Sequence, residues 1–227
     1  VGSVNVMSRV VLAPLVVMSV AVFWVAATAN ADPPPTQVIT TVAVGPDGQP
    51  INGFQVASGP GNVGHVSDCS TPSRSAVADN VYSCSPSVAD AGTCWPATPG
   101  SLLCVDDPWE KRMHRVTYDG PLPPVTATAN PEPFALTLDD GTRCLIRNGG
   151  GWGVRADGYE GAYGCSGSGA RLAVLCLSSQ GAGSCIDRSS PAWTVEVGAL
   201  GTPNDALPPP QTHTVTEAWL AGGRAGQ

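Results

Sequence analysis

The chain has 227 residues, a formal net charge of −7, 13 % charged residues and 42 % hydrophobic ones. An acidic surface repels phosphate backbones and anionic lipid, so nucleic acid and polybasic membrane attachment are not expected. The length allows one ordinary domain or two small ones, so covalent staples would supplement a hydrophobic core rather than replace it.

Met7-Ser8-Arg9 is a short basic start, Val10 to Ala27 is an apolar run, and Thr28-Ala29-Asn30-Ala31 ends in the A-x-A pattern that a signal peptidase accepts. Residues 1–31 are therefore predicted to be a signal peptide, cut between Ala31 and Asp32. The rival is a retained anchor, because the run approaches the roughly 18–20 residues that span a bilayer. Pro14 and Ser19 interrupt it, and no cysteine stands at its end to take a lipid. Cleavage would leave 196 residues, with 10 basic against 18 acidic side chains and a net charge of −8.

Residues 32–37 are a Pro-rich leader, and residues 38–118 read as a first β-rich half. Val38 to Val44 is β-branched and ends at the turn Gly45-Pro46-Asp47-Gly48, so it is a predicted strand. Residues 57–80, rich in Gly, Ser, Asp and Asn, read as irregular; Val81 to Cys84 is a short strand. Leu102 to Val105 and His114 to Tyr118 flank a long hairpin loop at 106–110. Residues 119–133 hold five prolines and read as a linker.

Residues 134–220 form the second β-rich half. Phe134 to Leu138, the Asp139-Asp140-Gly141 turn and Thr142 to Arg147 make a hairpin, followed by strands at Tyr159 to Cys165, Leu172 to Leu177 and Trp193 to Val197. After Pro208-Pro209-Pro210, His213 to Leu220 carries both a capping-box pattern at Thr214 and Glu217 and a β-branched run; the strand reading is preferred. Residues 221–227 read as a disordered tail. The expected fold class is mostly β: disulfide-stapled antiparallel sheets in two halves, with little helix outside the signal peptide.

All eight cysteines, Cys69, Cys84, Cys94, Cys104, Cys144, Cys165, Cys176 and Cys185, follow the export signal, and an even number in an oxidising compartment favours complete pairing. No C-x-x-C pair exists and no His stands at zinc-site spacing, so neither a metal nor another cofactor is expected. Spacing alone leaves the connectivity open. Grouping four and four about the Pro-rich stretch favours 69 with 84, 94 with 104, 144 with 165, and 176 with 185.

Catalytic signatures are weak. In Gly164-Cys165-Ser166-Gly167-Ser168-Gly169, Ser168 stands where a nucleophile elbow would place its closing Gly, and paired cysteines offer no thiolate. His65 lies near Asp68 in sequence, while His114 and His213 are scattered. Asp139 and Asp140 precede Gly141 and suit a hairpin tip better than a calcium pair. The candidate ligand surface is the Gly-interleaved set Trp152, Arg155, Asp157, Tyr159 and Tyr163, since exposed rings beside hydrogen-bonding groups recognise glycans and peptides. The alternative is that Trp152 and both tyrosines fill the core.

At Asp139-Asp140-Gly141-Thr142-Arg143-Cys144, Gly149-Gly150-Gly151-Trp152-Gly153, Gly161-Ala162-Tyr163-Gly164-Cys165 and Pro191-Ala192-Trp193-Thr194-Val195, the chain resembles a group of exported mycobacterial proteins with no assigned activity. Tyr82-Ser83-Cys84-Ser85-Pro86 and Asp107-Pro108-Trp109 extend the likeness into the first half. The resemblance implies export and an actinobacterial source and transfers no catalytic residue; ten arginines against a single lysine fit a GC-rich genome. The expected function is that of an exported, non-catalytic binding or structural protein of the cell envelope or extracellular space, with a secreted hydrolase acting on envelope glycan or lipid as the alternative. Its partner would be an envelope or extracellular ligand, and membrane contact would come only through an uncleaved N-terminal segment.

Overall fold

The computed structural model describes residues 1–2, 32–57, 63–150, 155–167, 171–177, 185–202 and 205–226. Contacts divide the chain into Val1–Asp32 and Pro33–Gln227, and all the strands lie in the second unit. Apart from Val1 and Gly2, the signal peptide expected at 1–31 falls outside the described residues.

The fold is mostly β, 45 % strand, as the alternating and β-branched segments require. In chain order the first strands are β1 (Gln37–Thr41), β2 (Gln55–Val56), β3 (Val63–Val66), β4 (Asp68–Pro72) and β5 (Tyr82–Ser85). The 3₁₀ turn η1 (Ser87–Ala89) leads to β6 (Cys94–Pro96), β7 (Ser101–Asp107) and β8 (Arg112–Tyr118). Then come β9 (Ala135–Leu138), β10 (Arg143–Ile146), β11 (Tyr159–Cys165) and β12 (Leu172–Leu177). The last are β13 (Ile186–Asp187), β14 (Thr194–Ala199) and β15 (Gln211–Ala221).

Strands β2 to β8 make a seven-stranded sheet, ordered β2-β8-β7-β6-β5-β4 with β3 also on β8. Strands β9, β10, β11, β12, β14 and β15 close a six-stranded barrel, because β15 pairs with both β9 and β14. The β9–β10 hairpin turns at Asp139-Asp140-Gly141, with Gly141 at φ +83°, a conformation that glycine adopts without steric cost.

Several segments differ from expectation. The strand expected with the first half, β1, instead runs parallel to β15, pairing Gln37–Thr41 with Glu217–Ala221. The physical reason lies in β15: β14 pairs only with Gln211–Thr214, and the edge that β14 leaves bare is filled by β1. The stretch expected to be irregular at 57–80 contains β3 and β4, whose hydrogen-bonded backbones need few apolar side chains beyond the buried Val66 and Cys69.

The Pro-rich stretch 119–133 is docked on the body rather than spanning a gap. Val125 is buried against the outer face of the first sheet beside Tyr82 and Val116, and its carbonyl accepts from the Asn80 amide. Tyr82 donates to the Pro123 carbonyl at 3.0 Å. Proline removes donors but keeps its carbonyl, so an extended proline segment can be held by donors reaching out from the sheet. The segment expected to be a disordered tail is also held: the Ala225 amide donates to Val44 and Arg224 Nε to Gly45.

The first sheet is buried on both faces, which accounts for the unbroken run Leu102-Leu103-Cys104-Val105. Leu102, Cys104, Cys94 and Val116 face Val125, whereas Leu103, Trp95 and Met113 face a core shared with Phe134, Ala135, Trp219 and Ala221 of the second half. The barrel encloses Leu136, Leu138, Tyr163, Val174, Val195 and Val215. Disulfides join Cys69–Cys84, Cys94–Cys104, Cys144–Cys165 and Cys176–Cys185, leaving no free thiol. Bridges closing loops of this size contribute about 2–4 kcal/mol each.

Among the contacts that fasten sheet to barrel, three gather around β15. The fully buried Trp95 donates through Nε1 to the buried Gly222 carbonyl at 2.7 Å. Trp109, in the β7–β8 loop, meets Trp219 edge-on at 5.4 Å and donates to Thr137, which in turn donates to Glu217. The amides of Val77 and Ala221 complete the join, donating respectively to the carbonyls of Ala221 and Ser75. Trp95→Phe should keep the packing but strand the Gly222 carbonyl, at a cost of about 1–3 kcal/mol in urea unfolding with disulfides intact. No loss of stability would mean that this bond does not tie the two sheets.

Candidate functional site

Among the described residues, the set predicted as a ligand surface does not lie on one exposed face. Tyr163 points into the barrel at 2 % exposure and donates to the Pro133 carbonyl at 2.8 Å, and burial pushes its pKa up. Arg155 is equally buried, its guanidinium donating to Asp157 and to the carbonyls of Ala199 and Pro208, each of those carbonyls at 2.8 Å. It is a latch that binds the approach to β11 to the end of β14. Hydrogen bonding to Arg155 holds the exposed Asp157 carboxyl below its usual range. Tyr159 is half-buried beside Cys176 and Thr194, and Trp152 falls outside the described residues. Two of the five predicted contacts are thus spent on the fold, because an alternating strand with one buried face turns Tyr163 inward.

Each histidine faces a carboxylate. His65 lies 3.7 Å from Asp119 rather than near Asp68, and its Nδ1 is 3.2 Å from Thr117 Oγ1; His65 and Asp119 are both exposed, away from the clefts described below. Asp68 instead accepts from the Ser70 amide. His213 Nδ1 lies 2.8 Å from Asp139 and 3.9 Å from Asp140, and one atom from each of the three residues falls within 4.8 Å of the others. This N,O,O set could take a divalent cation only by giving up the Nδ1 proton. As the structure stands, His213 pins the hairpin tip, while the Thr214 and Thr142 amides hold the two carboxylates.

His114 differs in being buried, at 8 % exposure. Its Nδ1 faces the Asp106 carboxylate and its Nε2 lies 2.9 Å from the Ala89 carbonyl. Two acceptors at one imidazole call for two N–H groups, hence the imidazolium. Burial pulls the pKa down, but Asp106, the Ala89 carbonyl and the nearby Asp90 charge outweigh it and leave the group above its ordinary value of 6.5.

Asp106 also lines a cleft of about 320 Å³ at the seam between the first sheet and the barrel. Val105, Phe134, Leu145 and Ile146 form its apolar floor; Asp90, Thr93, Arg147 and Asn148 supply polar groups. Asn148 Nδ2 donates to Asp90 at 2.9 Å, bridging the two sides. The approach requires Gly92, where a Cβ would stand 2.9 Å from the Asn148 amide carbon, and Gly149, at φ +73°, where a Cβ would collide with Ser87 at 2.4 Å. A second cleft, about 300 Å³, lies beyond the same 147–149 segment, beside the Arg74–Glu132 ion pair.

No residue lining these two clefts belonged to the predicted ligand set, whereas Tyr159 lines a third, of about 250 Å³, with Cys176, Asp187 and Thr194. The findable signal was the β7–β8 hairpin: its register sets Asp106 and His114 near one another on adjacent strands. No protein-family model, curated protein or solved structure matches the chain.

The raised His114 pKa fixes the sign of a pH effect. Its stabilising contribution is complete below the unfolded-state value of about 6.5 and is lost as pH rises through the higher folded value. Urea midpoints measured from about pH 5.5 to about 8.5 should therefore fall toward the alkaline end, and His114→Gln should flatten that slope. A wild-type midpoint that climbs across the range would contradict the charged assignment.

Proposed function

We propose that the protein is exported and acts as a non-catalytic binding protein of the cell envelope or extracellular space, holding a small polar ligand in the cleft at the seam. The observation that carries this reading is the cleft itself: an apolar floor, a few converging polar groups, and a volume at the lower end of the roughly 300–1,000 Å³ of small-ligand sites. Four disulfides with no free thiol are consistent with an oxidising, extracytoplasmic setting. The signal-peptide pattern at residues 1–31, with its cleavage point at Ala31, supports export, and the resemblance supports an actinobacterial source. Among the described residues no helix is long and apolar enough to cross a membrane.

A ligand that matches carboxylate and amide groups over an apolar floor is rich in hydroxyls, with apolar ring faces, as envelope oligosaccharides are. The second reading, a secreted hydrolase acting on envelope glycan, draws on the two carboxylates Asp90 and Asp106 in one cleft, since paired carboxylates are the usual glycosidase apparatus. Against it, both acids are already engaged, Asp90 by Asn148 and Asp106 by His114.

Soluble oligosaccharides released from bacterial cell wall, titrated into the isotope-labelled, disulfide-intact protein, test both readings. Binding predicts amide shifts confined to Thr93, Asp106, Leu145 and Asn148 with the sugars recovered intact. Shortened products that disappear with Asp106→Asn would establish the hydrolase in its place. Absence of shifts at the cleft would overturn both readings.

A further inference from the structure

The buried histidine and the bridged cleft meet in one short segment. Ala89, whose carbonyl receives His114 Nε2, immediately precedes Asp90, whose carboxylate receives Asn148. The segment is otherwise held by the packing of the half-buried Ala89 against the first sheet's outer core and by the Cys84 amide, which donates to the carbonyl of the buried Ala91 at 2.7 Å. The η1 turn buries none of its side chains, and Val88 is fully in solvent. The Ala89 and Asp90 amides bond only within the turn, to Pro86 and Ser87. Asp90 itself closes the turn as its left-handed cap at φ +52°, a conformation that Asp adopts more readily than most side chains.

We propose that His114 is a pH-operated clasp on the cleft: as the imidazolium it holds the Ala89 carbonyl and so keeps Asp90 bridged to Asn148, and on losing its Nε2 proton it lets that bridge open. The inference rests on the cleft being the binding site and supplies its regulation. The proton lost to solvent is the one on Nε2, since the Nδ1 proton is retained by the Asp106 carboxylate. The neutral ring then turns a lone pair toward the Ala89 carbonyl oxygen, and a buried acceptor facing an acceptor is destabilised. The carbonyl must move away or find water, and Asp90 moves with it.

The charged groups that face the ring are Asp106 from β7 and Asp90 from the end of η1. The other ionisable side chains nearby are turned elsewhere: His65 of β3 to Thr117 and Asp119, Arg115 to Ser101, and Arg112 to Asp107. Titration of His114 is therefore the event that reaches Ala89. The raised pKa places the opening above the ordinary histidine range.

The test is a ligand-free NMR titration of the full, disulfide-intact protein, so its failure is separable from a failure to bind sugars. The His114 ring signal should titrate with a midpoint above about 6.5. The Asn148 side-chain amide and the Asp90 backbone amide should shift with that same midpoint. In His114→Gln, whose amide can still donate to Ala89 but cannot titrate, both signals should stay at their acid positions. Asp90→Ala, at an exposed site, keeps the question open to refutation even if that variant fails to fold: His114 should still titrate while the Asn148 signal no longer follows it. Asn148 and Asp90 signals that ignore the wild-type His114 transition, that move equally in His114→Gln, or an Asn148 signal that still follows in Asp90→Ala, would overturn the clasp.

Discussion

Strand β15 is the constraint on which the remaining architecture depends. Its first residues close the barrel against β14, its middle pairs with β9, and its last five take β1 in parallel. Just beyond, Gly222 receives the indole of Trp95 from the first sheet. A strand with all its edges occupied cannot shift register without breaking several ladders at once. Because its end is also the anchor for Trp95, the barrel and the first sheet are fixed to one another by the same backbone. The shared core around Trp95, Phe134 and Trp219 follows from that placement.

The disulfides do a different task. Two lie within the first sheet, one joins barrel strands β10 and β11, and one ties β12 to the residue before β13; none crosses from the first sheet to the barrel. Covalent stapling thus stabilises each sheet separately, while the seam is held by non-covalent contacts: packing, hydrogen bonds and the Arg143–Glu110 ion pair. That division suits a ligand cleft. The Asp90–Asn148 bridge and the His114 contacts lie where the structure is joined by reversible interactions, and small changes in protonation act on a junction that no bridge locks.

The parts of this fold that were legible in the sequence are the local ones. Asp140-Gly141 marks its hairpin because only a few residues decide a tight turn, and the cysteines pair with near neighbours because each bridge staples strands close in sequence. Non-local pairing left no comparable trace. Nothing in Val38 to Val44 announces a partner some 180 residues away, and nothing in the Thr-rich β15 distinguishes a central strand from a peripheral one. The prolines of 119–133 signalled extended backbone correctly, but whether extended chain bridges a gap or covers a sheet depends on Val125 finding a hydrophobic face. Part of the expected ligand surface, Tyr163 and Arg155, is drawn into the fold for a related reason. Aromatic and glycine residues near one another suggest a surface, yet burial is decided by which way the strand faces, and Tyr163 faces inward. The cleft draws on distant segments around Asp90, Asp106, Phe134 and Asn148, none bearing a motif.

By tying both sheets to one backbone, β15 should make them unfold as one cooperative unit. The most direct measurement is urea unfolding of the disulfide-intact protein followed residue by residue by NMR, comparing Leu103 in the first sheet with Leu175 in the barrel. Coincident midpoints at the two positions are the expected result. A barrel signal that vanishes while Leu103 keeps its native position, or the reverse, would contradict the account.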